Sequence, residues 1–318
     1  MYYLIAFIRT LVVLIYWILL CIIAFICCLP RLKDKRNMYA IATYVRCLLK
    51  PVYGLNTYIE KEVDELPKTA VYISNHQNTL DIVTLAKMIQ PNTVTVGKRQ
   101  LSWIPIFGWM YWAAGNILIE KTSASKSYKT IQQVVDKIVN HQYCVWLFPE
   151  GTRSYGRWEI GSFKAGAFLT AIEAGVPIVP IVVSDLNKYR IGKLDNGEVI
   201  MKYLKPINTK GMTRAQAKAL AAELEELFLT EYRKLNEKVS KKDFADCQDM
   251  VKFSFVDNAE WMEKNPAYEF KASKDTANTQ SSAVENTELA QDLVEANDLV
   301  KDQVNTQTAE QVQDKADS

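Results

Sequence analysis

Two side chains in this chain have the types and the spacing for proton transfer. His76 and Asp81 lie five residues apart in the run Asn75-His76-Gln77-Asn78-Thr79-Leu80-Asp81. Five residues on a continuous helix rotate by about 500°, which leaves two side chains about 140° apart and facing away from each other. They meet if His76 occupies the turn before a helix and Asp81 its first turns, with Asn78 or Thr79 as the cap. The carboxylate of Asp81 then accepts a hydrogen bond from one ring nitrogen of His76. That bond fixes the tautomer and leaves the other nitrogen to take a proton, the arrangement of a general base acting on a hydroxyl. Spacing alone is weak evidence. With about 5% Asp in ordinary proteins, two histidines produce some His-x4-Asp in roughly one chain in ten.

A second run, Phe148-Pro149-Glu150-Gly151-Thr152-Arg153-Ser154, bears on the same site. Gly151 is free to take positive φ and to let the backbone approach an anion. Arg153 offers a planar fork suited to phosphate or carboxylate. A plain charged turn with an internal Glu–Arg pair competes evenly with that reading. No serine or cysteine stands beside a second histidine as a nucleophile: Cys144 falls in a strand and His141 on a polar turn. Six cysteines without C-x-x-C spacing read as reduced packing residues, and two histidines exclude a His-rich metal centre.

The elements that must position these runs alternate. Ala70–Ser74, Thr93–Gly97, Asn116–Glu120, Tyr143–Phe148, Pro177–Val183 and Glu198–Tyr203 are short runs rich in Val, Ile and Tyr, and read as strands. Asn78–Ile89, Ser123–Asn140, Phe163–Glu173 and Thr213–Glu237 read as helices. The alternation predicts an α/β layered domain with a mostly parallel or mixed sheet over residues 51–272, its site at the carboxyl ends of the strands. Residues 1–50 read as a membrane anchor. Thr10 to Pro30 is uncharged and apolar all round, and as a helix it spans about 30 Å, the thickness of the hydrocarbon core. An amphipathic helix follows over Asn37–Lys50. Arg31, Lys33, Lys35 and Arg36, against Arg9 alone on the other side, place the body on the cytoplasmic side. A hydrophobic hairpin or interfacial helix satisfies the same residues without crossing.

Composition agrees with a folded body, with 49% apolar and 23% charged residues among 318. The net charge of +2 conceals an asymmetry. Asp275–Ser318 carries ten acidic residues and two lysines, a net of −8, which leaves 36 basic and 26 acidic residues and a net of +10 in Met1–Lys274. Residues 273–318 therefore read as an acidic disordered tail. The basic body suits a negatively charged membrane surface or phosphate-bearing substrates, and no nucleic-acid motif is present.

Taken together these runs resemble the lysophosphatidic acid acyltransferase family, the PlsC-type glycerolipid acyltransferases. Asn75-His76-x4-Asp81 matches its first motif. Gly115-Asn116-Ile117-Leu118-Ile119-Glu120-Lys121 resembles its second, Phe148–Ser154 matches its third, and Val176-Pro177-Ile178-Val179-Pro180-Ile181 resembles its fourth. They occur in the family's order across roughly Leu55 to Ile207. The resemblance implies a glycerolipid acyltransferase-like fold and transfer of an acyl group to the sn-2 hydroxyl of 1-acyl-sn-glycerol 3-phosphate, giving phosphatidic acid. The donor would be acyl-CoA or acyl carrier protein, a co-substrate, with no cofactor or metal. It implies His76 as base with Asp81 as partner, Glu150, Gly151, Thr152 and Arg153 on the acceptor, and Pro177 in the acyl pocket. Lys121 stands where the second motif usually ends in Arg, keeping the charge without the fork. Lys98 and Lys164 are further cationic candidates.

The expected partners are thus a lysophospholipid, an acyl thioester and membrane lipids, at a membrane that is the inner or plasma membrane if the source is bacterial. Other acceptors (glycerol 3-phosphate, another lysophospholipid, an amino lipid) share these motifs. A thioester hydrolase in which His76 activates water, and a membrane scaffold acting through its tail, are the readings from other classes.

Overall fold

The computed structural model describes residues 2–119 and 124–270, with only the backbone described for 124–129. The chain divides into two compact units, residues 1–269 and 270–318, and the first holds every described strand and helix. The acidic tail and Lys121 lie outside the described residues.

Nine strands and eight α-helices are described: α1 (Tyr2–Cys28), α2 (Asn37–Arg46), β1 (Asn56–Lys61), β2 (Glu65–Pro67), β3 (Val71–Ser74), α3 (Asp81–Thr84), β4 (Thr93–Lys98), α4 (Phe107–Ala113), β5 (Ile117–Ile119), α5 (Ala124–His141), β6 (Cys144–Leu147), α6 (Gly166–Ala174), β7 (Ile178–Val183), β8 (Glu198–Tyr203), α7 (Ala217–Lys241), β9 (Ser254–Val256) and α8 (Asn258–Lys264). Seven strands form one sheet in the order β1-β8-β7-β3-β6-β4-β5, and β2 with β9 forms a small second one. Strands β7, β3, β6, β4 and β5 run parallel. β8 returns antiparallel to β7, and β1 lies parallel to β8. The sheet is therefore mixed. Helices connect its parallel strands, because parallel neighbours cannot be joined by a tight turn.

The central strands are buried on both faces, which is why they read as unbroken apolar runs and not as alternating ones. Tyr72, Trp146, Val179 and Ile181 belong to one core that also takes in Leu20, Cys21, Ala24 and Cys28 of α1 and Ile41, Ala42 and Val45 of α2. On each strand the intervening residues point to the other face, and α6 and α7 pack against β3 and β7.

α1 is the one described helix long and apolar enough to cross a membrane. It runs 27 residues, about 40 Å. It is not a separate anchor. Besides its four core residues, Trp17 donates to the hydroxyl of Tyr53 (3.1 Å) and Phe25 lies 6.3 Å from Trp109 on α4. Near its amino end Arg9 is buried, its guanidinium donating to the carbonyls of Ile191 (2.8 Å), Lys193 and Leu194 (3.5 Å) in the loop between β7 and β8. Leu4, Phe7, Leu11, Leu14, Ile15, Ile18, Ile22 and Ile26 stay exposed, as do Trp103, Trp109 and Trp112.

Candidate functional site

β3 stands at the middle of the sheet, between β7 and β6, and its last residue is Ser74. His76 follows in the loop. The two amides flanking it hold that loop down. The side chain of Asn75 donates to the Val183 carbonyl (3.0 Å) and accepts from the Val183 N–H (2.9 Å), so it extends the β3–β7 pairing by one rung. Gln77 donates to the carbonyl of Ser184 (2.8 Å) and accepts from the N–H of Leu186 (2.9 Å). All three partners lie at the carboxyl end of β7 or just beyond it.

Asp81 opens α3 and is 2% exposed. Its Oδ2 accepts from Nδ1 of His76 at 2.6 Å and from the backbone N–H groups of Gln77 (2.7 Å) and Asn78 (3.1 Å). An ionised carboxylate only accepts, so Nδ1 is the donor and Nε2 keeps its lone pair. The geometry is that expected from the sequence: the histidine in the turn, the aspartate at the helix start. The helix itself differs. The sequence predicts one helix over Asn78–Ile89, but α3 has four residues followed by a 3-10 turn over Leu85–Lys87. The N–H groups of Gln77 and Asn78 go to the Asp81 side chain, and the Asn78 side chain accepts from the N–H of Leu80 (2.8 Å), so Asn78 caps the turn that leads into α3, while Leu80, directly before α3, makes no side-chain cap bond.

The third run packs over this loop. The ring of Phe148 stacks on that of His76, centroids 3.9 Å apart at 16°. Ser154 and Tyr155 donate their N–H groups to the carbonyls of His76 (2.9 Å) and Gln77 (2.8 Å), like two rungs of a ladder. Gly151 turns the chain at φ 66°. Thr152 is exposed and Arg153 half-buried. Arg153 donates from Nη1 to the Tyr155 hydroxyl (3.2 Å), while its Nε is buried with no partner among the described residues. The Arg153 and Ser154 carbonyls accept from Arg157 (2.9 and 3.0 Å), which stiffens the turn from behind.

Glu150 is placed differently from the expectation. It is 3% exposed, and both oxygens are committed to the protein. Oε1 accepts the backbone N–H of His76 at 2.7 Å; Oε2 accepts from Gly161 (2.9 Å) and from the Trp158 ring (3.2 Å). Burial pushes its carboxyl above the usual range, against the pull of those three donors. A carboxylate so occupied, and of the same sign as phosphate, holds the His76 backbone in place and has no oxygen left over for an anionic ligand. Gly161 is required there, since a β-carbon would lie 2.5 Å from Oε2 of Glu150 and 2.6 Å from Nε1 of Trp158.

Lys98 is exposed at the carboxyl end of β4, two strands from β3. Lys164 is exposed too, its N–H bonded to the Pro149 carbonyl (2.9 Å). Pro177 must be corrected. It is buried just before β7, level with Ala70, because Ile178 pairs with Val71. His76 leaves β3 at its other end, so about six residues, roughly 20 Å of extended chain, separate the two levels. Chain order placed Pro177 in a motif; parallel register places it at the amino end of the sheet, away from any pocket around His76. Cys144 also lies at that end, buried, its thiol pushed up to about 12 by desolvation, which removes it as a nucleophile. His141 ends α5 in a half-exposed setting 3.9 Å from Asp136.

Sequence reasoning gives no role to Phe148, Asn75, Gln77, Trp158 or Gly161. The first three lie inside the His76 and Glu150 runs, but an apolar ring and two amides carry no chemistry of their own. Their work appears once the strands set their partners.

The chain is similar to known proteins. The acyltransferase family model matches residues 57–184, which include the His76, Glu150 and Pro177 runs. The chain is 41% identical over 239 residues to the 1-acyl-sn-glycerol-3-phosphate acyltransferase of Salmonella typhimurium, covering 74% of this chain and 96% of that protein. The Escherichia coli enzyme of the same name is 40% identical over 241 residues, 74% and 97% of the two chains. The human alpha form is 30% identical over 226 residues, 69% and 79%. Among solved structures, the 1-acyl-sn-glycerophosphate acyltransferase PlsC of Thermotoga maritima superposes with a TM-score of 0.56 at 18% identity, over 72% of this chain and 95% of that one, so the fold is shared.

Proposed function

The chain belongs to the 1-acyl-sn-glycerol-3-phosphate acyltransferase family, and on that premise we propose how its residues carry out the reaction. It is a transferase that acylates 1-acyl-sn-glycerol 3-phosphate at the sn-2 hydroxyl and yields phosphatidic acid. The donor in this proposal is a fatty acyl thioester of coenzyme A or acyl carrier protein, and no cofactor takes part. The observation that carries the residue assignment is the 2.6 Å bond from His76 to a buried Asp81 on a loop pinned from both sides.

Nε2 of His76 takes the proton of the sn-2 hydroxyl as the oxygen attacks the thioester carbonyl. The C–O bond forms, negative charge moves onto the carbonyl oxygen, and the imidazolium is stabilised by Asp81. Collapse breaks the C–S bond, and the departing thiolate receives the proton from Nε2. A thiolate leaves readily, so no acyl-enzyme is needed. Lys98 supplies positive charge toward the developing oxyanion. Arg153 binds the acceptor phosphate, with Gly151 and Thr152 shaping its turn and Lys164 adding charge; the same role for Lys121 rests on its motif alone. Glu150 acts through the His76 backbone.

The membrane arrangement follows from α1. A helix fastened to the body from Arg9 to Cys28 cannot cross the bilayer alone without drawing the body in after it. In our reading it lies in the interface, its exposed apolar face and Trp103, Trp109 and Trp112 in the acyl region, the body on the cytoplasmic side with Arg31, Lys33, Lys35 and Arg36. The base then meets a lysolipid where that lipid resides.

The test uses purified full-length protein with lysophosphatidic acid and an acyl thioester, following free thiol and phosphatidic acid together. Equal release of both is expected. Thiol release that persists without acceptor lipid identifies a hydrolase, and wild-type turnover in His76→Ala removes the base assignment.

A further inference from the structure

We propose that Tyr155 is a specificity-determining residue for the acceptor: its hydroxyl is the second donor, beside Arg153, that clamps the head-group phosphate and makes the site prefer a phosphomonoester to an uncharged glycerolipid. This rests on the reading that Arg153 binds the acceptor.

Four observations converge on it. Tyr155 takes φ 49°, in the left-handed region that a β-carbon disfavours, although the glycine beside it, Gly156, adopts φ 77° freely. Strained backbone of this kind persists where surrounding bonds over-determine it and gathers at functional sites. Here the bond is the Tyr155 N–H to the Gln77 carbonyl, one residue from His76. Second, the residue is 56% exposed, so packing does not account for its placement. Third, its oxygen accepts from Nη1 of Arg153 at 3.2 Å, which leaves the phenol's own proton to be donated. Fourth, Nε of Arg153 is buried without a partner among the described residues, so this guanidinium is not saturated by the protein.

The electrostatics agree. The bond and charge of Arg153 lower the phenol's pKa, a hydrogen bond with Thr79 adds to this, and the charge of Asp81 opposes it. The hydroxyl lies 3.2 Å from Nη1 of Arg153, on a turn whose backbone is bonded to Gln77, the neighbour of His76. A phenol polarised by a guanidinium is a stronger donor to an anion than a free one. A phosphomonoester offers three oxygens: two for the fork of Arg153 and one for Tyr155.

The experiment measures kcat and KM of full-length Tyr155→Phe with one acyl thioester and two acceptors, 1-acyl-glycerol 3-phosphate and 1-acyl-glycerol. Loss of one hydrogen bond to a charged group is expected to raise KM for the phosphorylated acceptor about tenfold. The kcat should stay within about twofold, and the uncharged acceptor should be unaffected. Arg153→Ala is the reference. If Arg153→Ala raises the phosphorylated acceptor's KM and Tyr155→Phe does not, the proposal is overturned and the acceptor reading stands. If neither substitution moves that KM, the acceptor reading itself falls. A tyrosine that only props Arg153 is separated by the double variant: a further rise of about threefold or more over Arg153→Ala is expected of a direct donor, and no further rise overturns the assignment.

Discussion

His76 and Arg153 stand on neighbouring loops at one end of the sheet, yet their surroundings differ in kind. The His76 loop is closed by the protein: Asn75 and Gln77 are tied to β7, Asp81 receives three donors, and Glu150 receives three more, one of them the His76 backbone. Arg153 is half-buried, with a side-chain bond to Tyr155 and a buried Nε without a partner among the described residues. The proposed base is thus oriented before any substrate arrives, while the proposed binding group is left for the substrate to complete. Preorganisation is of most use where charge changes during the reaction, and a ground-state anchor needs little of it.

That contrast can be broken in order of expected effect. His76→Ala removes the base, and kcat should fall by about a thousandfold with acceptor KM little changed. Asp81→Asn removes the charge that stabilises the imidazolium, and where its NH2 takes the place of Oδ2 it faces three donors and no longer fixes the histidine's tautomer; a loss of about a hundredfold or more in kcat should appear in the same assay. Glu150→Gln is the sharper test. Its amide oxygen can still serve one side, but its NH2 faces a second donor, either the His76 N–H or the pair from Trp158 and Gly161. A fall in kcat of roughly ten- to hundredfold with unchanged acceptor KM is predicted; a rise in acceptor KM alone would return Glu150 to the acceptor. Arg153→Ala should do the reverse of Glu150→Gln, raising acceptor KM about tenfold or more and sparing kcat.

The smallest effect concerns pH. Glu150 has its folded-state pKa raised by burial, so between its ordinary value of 4.5 and the raised one the folded chain binds more protons than the unfolded. Its contribution to stability is full below 4.5 and declines as pH rises through that window. Thermal unfolding across the same range should show the stability of Glu150→Gln rising relative to that of the wild type as pH increases; a difference that stays constant with pH would mean the carboxyl does not titrate there.

Much of the fold and the site is legible in the sequence. The buried parallel strands are short β-branched runs, β8 begins and ends at the expected residues, and the His76–Asp81 pairing follows from helix geometry. β1 is not legible: Asn56–Lys61 alternates polar residues on an edge strand, which resembles a loop. Nor is α4, whose Gly and aromatics have little helix propensity and which forms by packing against α1. Glu150 and Pro177 show a different limit. Motif position says that a residue is near a function in the chain, but burial and strand register decide what it touches. α1 shows another, because lipid and a protein core are equally apolar and a uniformly hydrophobic helix does not reveal which of its faces meets which.

The Arg9 staple bears on how such a molecule can be altered by design or by descent. Its guanidinium and the core residues Leu20, Cys21, Ala24 and Cys28 make the long apolar helix α1 a wall of the catalytic body. Cutting it away exposes the face of the core it covers, and exchanging it for another hydrophobic segment removes the same wall. In the proposed membrane arrangement, cellular address and enzyme are one inheritable object, so retargeting this activity to another membrane requires changing the exposed apolar residues of α1 one by one, with the helix left in place.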